Sequence, residues 1–185
     1  LILGASSEEA VEDLINFDIT PSVFTYEFAK ALSYEAERKE KVTKIHIKID
    51  TGMSRIGFLA GENNEEIVDE IIKISKLPYI EIEGIFSHFA TSDEYDKSYT
   101  LLQYGRFMDV CNRLEEKGLN IPIKHICNSA GIMMYPEMHL DMVRPGVILY
   151  GMYPSDEVDK SRLDLIPAMT LKSTITHIKE VEPGR

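Results

Sequence analysis

Six short β-type runs alternate with helical stripes along this chain, and that switching of period constrains the fold more than any other feature. The runs are LILGA (1–5), SVFT (22–25), IHIKID (45–50), IEIEGIF (80–86), IKHIC (123–127) and DMVRPGVILYG (141–151). Between them, Ile67, Ile71 and Ile74 with Val68 and Ile72 recur at helical spacing, as do Phe107, Val110 and Leu114, and Phe28, Ala31 and Leu32. Helix starts carry suitable caps: Ser6 before Glu8 and Glu9, Asn63 before Glu65 and Glu66, and Asp93 ahead of a segment over 96–117 that Gly118 closes. Strand and helix in strict alternation predict parallel βα units. No G-x-G-x-x-G follows a strand, so an open dinucleotide-binding sheet is disfavoured. The fold class expected is α/β, a partial (β/α)8 TIM barrel with about six βα units.

A complete barrel of this kind takes about 250 residues and eight strands, and this sequence has 185 residues. LILGA opens as though already inside a buried strand, so the chain reads as an internal segment of a longer protein. The alternation stops near Tyr150. A polar loop follows (153–164), then PAMTLKSTITHIKEVEPG (167–184), which alternates as a solvent-facing strand does. The division expected is a truncated barrel over 1–152, then a linker and the first strand or strands of a C-terminal β domain over 153–185. Such a piece leaves two open parallel edges, which a partner or a rearranged segment is expected to cover.

Acidic residues outnumber basic ones by 31 to 20, a net charge of −11, and no basic patch offsets it; nucleic acid and anionic membrane surfaces are not expected partners. No apolar run approaches the roughly 20 residues of a bilayer helix. Cys111 and Cys127 are too few for a disulfide framework, which favours the cytoplasm.

In a parallel barrel the working residues lie at the C-terminal ends of the strands. Those positions hold Lys48, Asp50 and Arg55, then Ser87, His88 and Thr91, then Asn128 and Ser129, and finally Arg144, Gly146 and Val147. Two arginines, a lysine and a histidine on one face make a locally cationic pocket suited to an anionic small molecule. Ser129 opens a short helix and Arg-Pro-Gly-Val exposes backbone amides, the elements of a phosphate site; an Asn-Ser pair equally serves as a plain helix cap.

Four segments in this order, HIKIDTGMSRIGF (46–58), GIFSHFATSDE (84–94), HICNSAG (125–131) and MVRPGVILYG (142–151), resemble alanine racemase, a pyridoxal-phosphate enzyme family with a barrel followed by a β domain. The resemblance implies a cytoplasmic homodimer acting on a small amino acid and feeding D-alanine to peptidoglycan. It implies deprotonation at Cα by one base and reprotonation from the opposite face by another. Arg55 matches the arginine that holds the substrate carboxylate, a contact suited to a planar guanidinium. Lys48 matches a lysine that is carbamylated in some members; the alternative is a lysine neutralised by Asp50. Arg144 matches the arginine at the cofactor's ring nitrogen, and His88 the histidine supporting it. Asn128, Ser129, Gly146 and Val147 match the cofactor and phosphate contacts.

The family's cofactor lysine lies in a Lys-Ala-Asn-Ala-Tyr-Gly-like motif with no counterpart in these residues, and its tyrosine base belongs to the β domain. No catalytic base is therefore assigned within this sequence, and the 185 residues alone are expected to be inactive. Other readings stay open: a serine or broad-specificity racemase of the same fold, or a non-enzymatic pyridoxal-phosphate-binding barrel, which the segment 167–184 disfavours. The Asp-Thr-Gly of IDTGM occurs once, whereas an aspartic protease needs a carboxylate pair. A metal site from Asp50, His88 and His125 is disfavoured because His46 and His125 read as early in their strands; no metal is expected.

Overall fold

The computed structural model describes residues 1–185. Five parallel strands form the sheet: β1 (Ser22–Val23), β2 (Thr43–Asp50), β3 (Phe58–Leu59), β4 (Ile80–Phe86) and β5 (Ile123–His125). Their order is β1-β2-β4-β5, with β3 paired to the far end of β2. The helices are α1 (Val11–Asn16), α2 (Tyr26–Arg38), α3 (Glu65–Ile74), α4 (Ser98–Glu116) and α5 (Ser129–Met134). The first four pack on one another in chain order. Sequential parallel strands with sequential helices are the winding of a barrel wall.

The side-chain period of β2 sorts its chemistry. Ile45, Ile47 and Ile49 point one way and are fully buried. They meet Ala29, Leu32 and Ala36 of α2, Val68, Ile71 and Ile74 of α3, and Phe107, Val110 and Leu114 of α4 in one core. Lys44, His46, Lys48 and Asp50 take the opposite face. The register of β4 against β2 shifts between Ile45 and His46, where Ile82 and Gly84 are the successive partners and Glu83 is the extra residue of a bulge.

Two outer runs expected as strands are irregular. Residues 1–5 lie beside β1 through Ile2 N–H to the Thr20 carbonyl (2.9 Å) and the Ser22 hydroxyl to the Ile2 carbonyl (2.5 Å). Residues 141–144 run beside β5 through Asp141 N–H to the Lys124 carbonyl (3.1 Å) and Arg144 N–H to the Cys127 carbonyl (3.0 Å). These few bonds do not make a continuous ladder, and Val147–Tyr150 turns into a 3-10 helix. The alternating segment 167–184 forms no strand: Ala168 N–H bonds the Tyr150 carbonyl (3.0 Å), but no ladder continues from it, and Leu171, Ile175 and Ile178 are exposed.

The caps differ in detail from expectation. The Asp96 carboxylate, rather than Asp93, accepts from the Ser98 amide at the start of α4 (2.9 Å). Asn63 accepts from Glu65 N–H (3.2 Å) beside the N-terminus of α3. Ser7, not Ser6, precedes the first helical turn and makes no side-chain cap bond. Gly118 ends α4 at φ +84°, the left-handed conformation expected of it.

Two glycines separate site architecture from plain helix propensity. A β-carbon at Gly84 would fall 2.3 to 2.7 Å from the His46 ring, whereas one at Gly105 in α4 meets nothing within 4 Å. Gly84→Ala is expected to destabilise by about 1–3 kcal/mol through overpacking. Gly105→Ala is expected to stabilise by about 0.5–1 kcal/mol. Urea unfolding of the two variants, compared with the parent protein, checks the opposite signs.

Candidate functional site

The loop after β2 is built around Asp50, whose Oδ1 accepts from the amides of Gly52 (2.9 Å) and Ser54 (3.0 Å). Its carboxylate holds the loop and forms no direct ion pair with Lys48, although its charge counteracts the lowering of the Lys48 pKa. Tyr99 and Arg106 of α4 clamp the same loop, donating to the carbonyls of Gly52 (2.9 Å) and Thr51 (3.1 Å). The loop ends on Arg55, exposed and close enough for its charge to depress the pKa values of Lys48 and His88.

Gln103 of α4, fully buried, sets the loop after β4. Its side-chain nitrogen donates to the His88 carbonyl (3.1 Å) and the Thr51 hydroxyl (3.2 Å), and its oxygen accepts from Ala90 N–H (2.8 Å). After β5, Asn128 caps α5 by accepting from Gly131 N–H (2.9 Å), and it accepts in turn from the Ser92 hydroxyl (2.9 Å). The Ser129 hydroxyl accepts from Gly146 N–H (2.9 Å), tying the last loop to this helix start.

Arg144 lies across the ends of β4 and β5. One terminal nitrogen (Nη1) donates to His125 Nδ1, and the other (Nη2) to the carbonyls of Ser87 (2.7 Å) and Ile126 (3.1 Å), with His88 Nδ1 at 3.4 Å. Its Nε is buried and has no partner. Phe86 lies beneath, its ring 5.2 Å from the guanidinium carbon and stacked on His125 at 4.7 Å.

Cations crowd here, and Asp50 only partly offsets them at Lys48. Burial, aided by Arg144 and Arg55, brings Lys48 from 10.5 down to about 7. Burial and then Arg144, Lys48 and Arg55 bring His88 to about 4. Burial, Arg144, His46 and Lys48 bring His125 to about 2. Burial lowers Arg144 to about 10, still protonated at neutral pH. Both imidazoles are therefore neutral, and Lys48 has a substantial uncharged fraction.

His88, Asn128, Ser129, Arg144, Gly146 and Val147 line one cleft of about 470 Å³. All six cofactor-site candidates from the sequence thus converge. Arg55 stands apart from the cleft wall, and Lys48 is buried against the Phe86 ring, its Nζ 5.0 Å from the centroid. The reading of His125 requires correction. It is the last residue of β5, not an early one, and both its ring nitrogens are engaged, by Arg144 and by His46. It therefore belongs to the site's foundation and has no lone pair left for a metal. Gln103, Phe86 and Glu83 were missed as well; Gln103 is a polar residue, with Thr100, on the buried face of α4, Phe86 lies within the segment 84–94 without a role assigned to it, and Glu83 carries no motif signal.

Comparison with known proteins places this geometry in a family. The family profile described as "Alanine racemase, N-terminal domain" matches residues 1–154. The chain is 53% identical over 185 residues to the alanine racemase of Clostridium tetani, covering 100% of this chain and 47% of that protein. It is 49% identical to that of Desulforamulus reducens, covering 100% of this chain and 49% of the relative. A solved structure of the Clostridium difficile 630 alanine racemase in complex with cycloserine superposes with a TM-score of 0.91 at 49% identity, over 96% of this chain and 48% of that one. The chain spans about half the length of the relatives it matches. At this identity, and with the family profile matching most of its length, the chain belongs to the alanine racemase family.

Proposed function

We propose that these residues supply the ring-nitrogen, phosphate and carboxylate contacts of a pyridoxal-phosphate-dependent alanine racemase. The observation that carries the reading is the unpartnered Nε of Arg144. Both terminal nitrogens are tied to protein acceptors, whereas the buried Nε–H of this cleft-lining residue has none, and an unprotonated pyridine nitrogen is the kind of acceptor that would satisfy it. The phosphate would lie against the Ser129 hydroxyl and the backbone of Gly146 and Val147, where the first-turn amides of α5 lack intrahelical acceptors.

When bound, the cofactor supplies an electron-withdrawing ring that eases removal of the substrate's Cα proton. Arg144 keeps its own proton, so it does not protonate the ring nitrogen, and the ring stays a modest electron sink. That favours return of a proton to Cα over its transfer elsewhere. His88, neutral and beside Nη2, buttresses the guanidinium without adding charge. Arg55 offers a planar donor pair to the substrate carboxylate. Lys48, with its pKa near 7 and no direct ion pair, is poised for carbamylation: the free amine attacks the carbon of CO2, a proton leaves, and the new anion would be within the influence of Arg144 and Arg55 and would orient the latter.

The working protein is proposed to be a cytoplasmic homodimer in which 153–185 leads into a β domain. The unpartnered apolar side chains of Ile166, Leu171 and Ile175 support that role. Cys111 and Cys127 are both buried free thiols, and no helix is long and apolar enough to cross a membrane. Neither proton-transferring base is assigned within these 185 residues.

The full-length protein containing this chain is expected to interconvert L- and D-alanine only with pyridoxal phosphate. The 185-residue polypeptide alone is expected to show no turnover. Chiral chromatography of alanine and serine, run side by side, tests both statements and the substrate. Arg144→Lys is expected to lower kcat/KM by about 100-fold, the scale of losing one aligned donor at a charge-developing centre.

Lys48 gives a pH signature in protein held free of bicarbonate. Its protonated form is disfavoured on folding, so stability is lowest below pH 7 and rises from there towards 10.5, where the unfolded lysine also loses its proton. Lys48→Met should abolish that rise and stabilise the protein at about pH 6 by as much as about 5 kcal/mol, at 1.36 kcal/mol per pKa unit. Urea unfolding across pH checks the sign. Bicarbonate should add the mass of one CO2 to the parent protein and not to this variant.

A further inference from the structure

A row of polar contacts, buried as far as His46, leads away from Arg144 towards the N-terminal end of the sheet. Arg144 Nη1 meets His125 Nδ1, His125 Nε2 lies 2.9 Å from His46 Nδ1, and His46 Nε2 lies 3.4 Å from Glu83 Oε2. Lys44 Nζ closes the row on Glu83 Oε1 at 2.7 Å. His46 and His125 are 3% and 0% exposed, so neither can replace a missing partner with bulk water.

Only one placement of protons fits this row. A guanidinium has donors and no acceptor, so His125 must present a lone pair at Nδ1 and carry its hydrogen on Nε2. That hydrogen faces His46 Nδ1, which must therefore be the acceptor, leaving the His46 hydrogen on Nε2. It points to Glu83, whose carboxylate accepts from both His46 and Lys44. Protonating either imidazole would set two N–H groups against each other. Burial holds both histidines below their ordinary pKa, in line with neutral rings, although Glu83 pulls the other way on His46. Phe86 stacked on His125 and set edge-on to His46, with Gly84 leaving space for the His46 ring, prevents either from turning.

We propose that Glu83 and His46 are positioning residues for Arg144: by accepting at the end of a one-way row of donors, Glu83 reinforces the His125 lone pair that binds Nη1 and so helps hold the guanidinium with its buried Nε–H unpartnered. The inference rests on the racemase reading only for its catalytic consequence; the proton placement stands on the chain's own geometry.

The test labels histidine with 15N in the full-length protein, with and without pyridoxal phosphate, and reads the tautomers by NMR. His46 and His125 are each expected to show a pyridine-type Nδ1 and a pyrrole-type Nε2 in both states. A proton on Nδ1 of His125 would overturn the proposal. Glu83→Leu, which removes the acceptor, should change the His46 and His125 signals, shift the bound cofactor's absorbance, and lower kcat about 10- to 100-fold with less change in KM, the scale known for groups supporting a ligand from behind. Glu83→Gln, which keeps an acceptor oxygen, should restore the tautomers and most of kcat. If Glu83→Leu leaves the histidine signals unchanged, the proposal fails. Failure of the protein to take up cofactor would overturn the racemase reading instead, while the tautomers would still decide this one.

Discussion

Holding a guanidinium inside a protein with no carboxylate beside it is the constraint on which the rest of this site depends. Arg144 meets that constraint with neutral acceptors, two backbone carbonyls and the lone pairs of two imidazoles. A buried charge tolerates such an arrangement only if its neighbours do not add to it. The uncharged state of His88 and His125 and the near-neutral pKa of Lys48 follow from this single residue together with burial. Arg144 gives the cleft a cation to attract a phosphate or a carboxylate, with Asp93 also on its wall and Lys48 and Arg55 outside it. An overall charge of −11 makes that local reversal of sign selective for a small anion that can enter the cleft, since a larger polyanion meets the acidic surface first.

The scaffold makes this affordable through strand geometry. Alternation in β2 sends isoleucines into the helix-covered core and lysine, histidine and aspartate to the other face, so one strand serves stability and chemistry at once. The loops are then fixed from α4: Gln103, Arg106 and Tyr99 reach from one helix to the segments after β2 and β4. Rigid support of this kind lets residues on three different loops line one cleft.

Much of this was legible in the sequence. The apolar stripes located α2, α3 and α4, and β2 and β4 emerged close to their expected limits. The six candidate residues converge because strand ends in a parallel barrel share a face, which needs no long-range information. The outer runs were harder. LILGA and the residues around Arg144 have strand composition, but a strand is defined by its neighbour, and each finds only a bond or two. His125 was placed wrongly for a related reason: β5 is only Ile123–His125, and its end is set by the turn into Asn128 rather than by the apolar run IKHIC. Glu83 was invisible because its role depends on a register shift that no local pattern announces.

That shift has a structural meaning of its own. Residues 80–82 and 84–86 are each in step with β2, and Glu83 alone is out of phase. A ladder lacking this one residue would run without interruption and lose a carboxylate at the foot of the histidine row. Keeping Glu83 but pairing it regularly would instead reverse the faces, sending Phe86 among the helices and Ile85 into the cleft's floor. The irregularity in β4 thus works as a phase adjuster, keeping an aromatic floor under the arginine while allowing an acid to be seated below it.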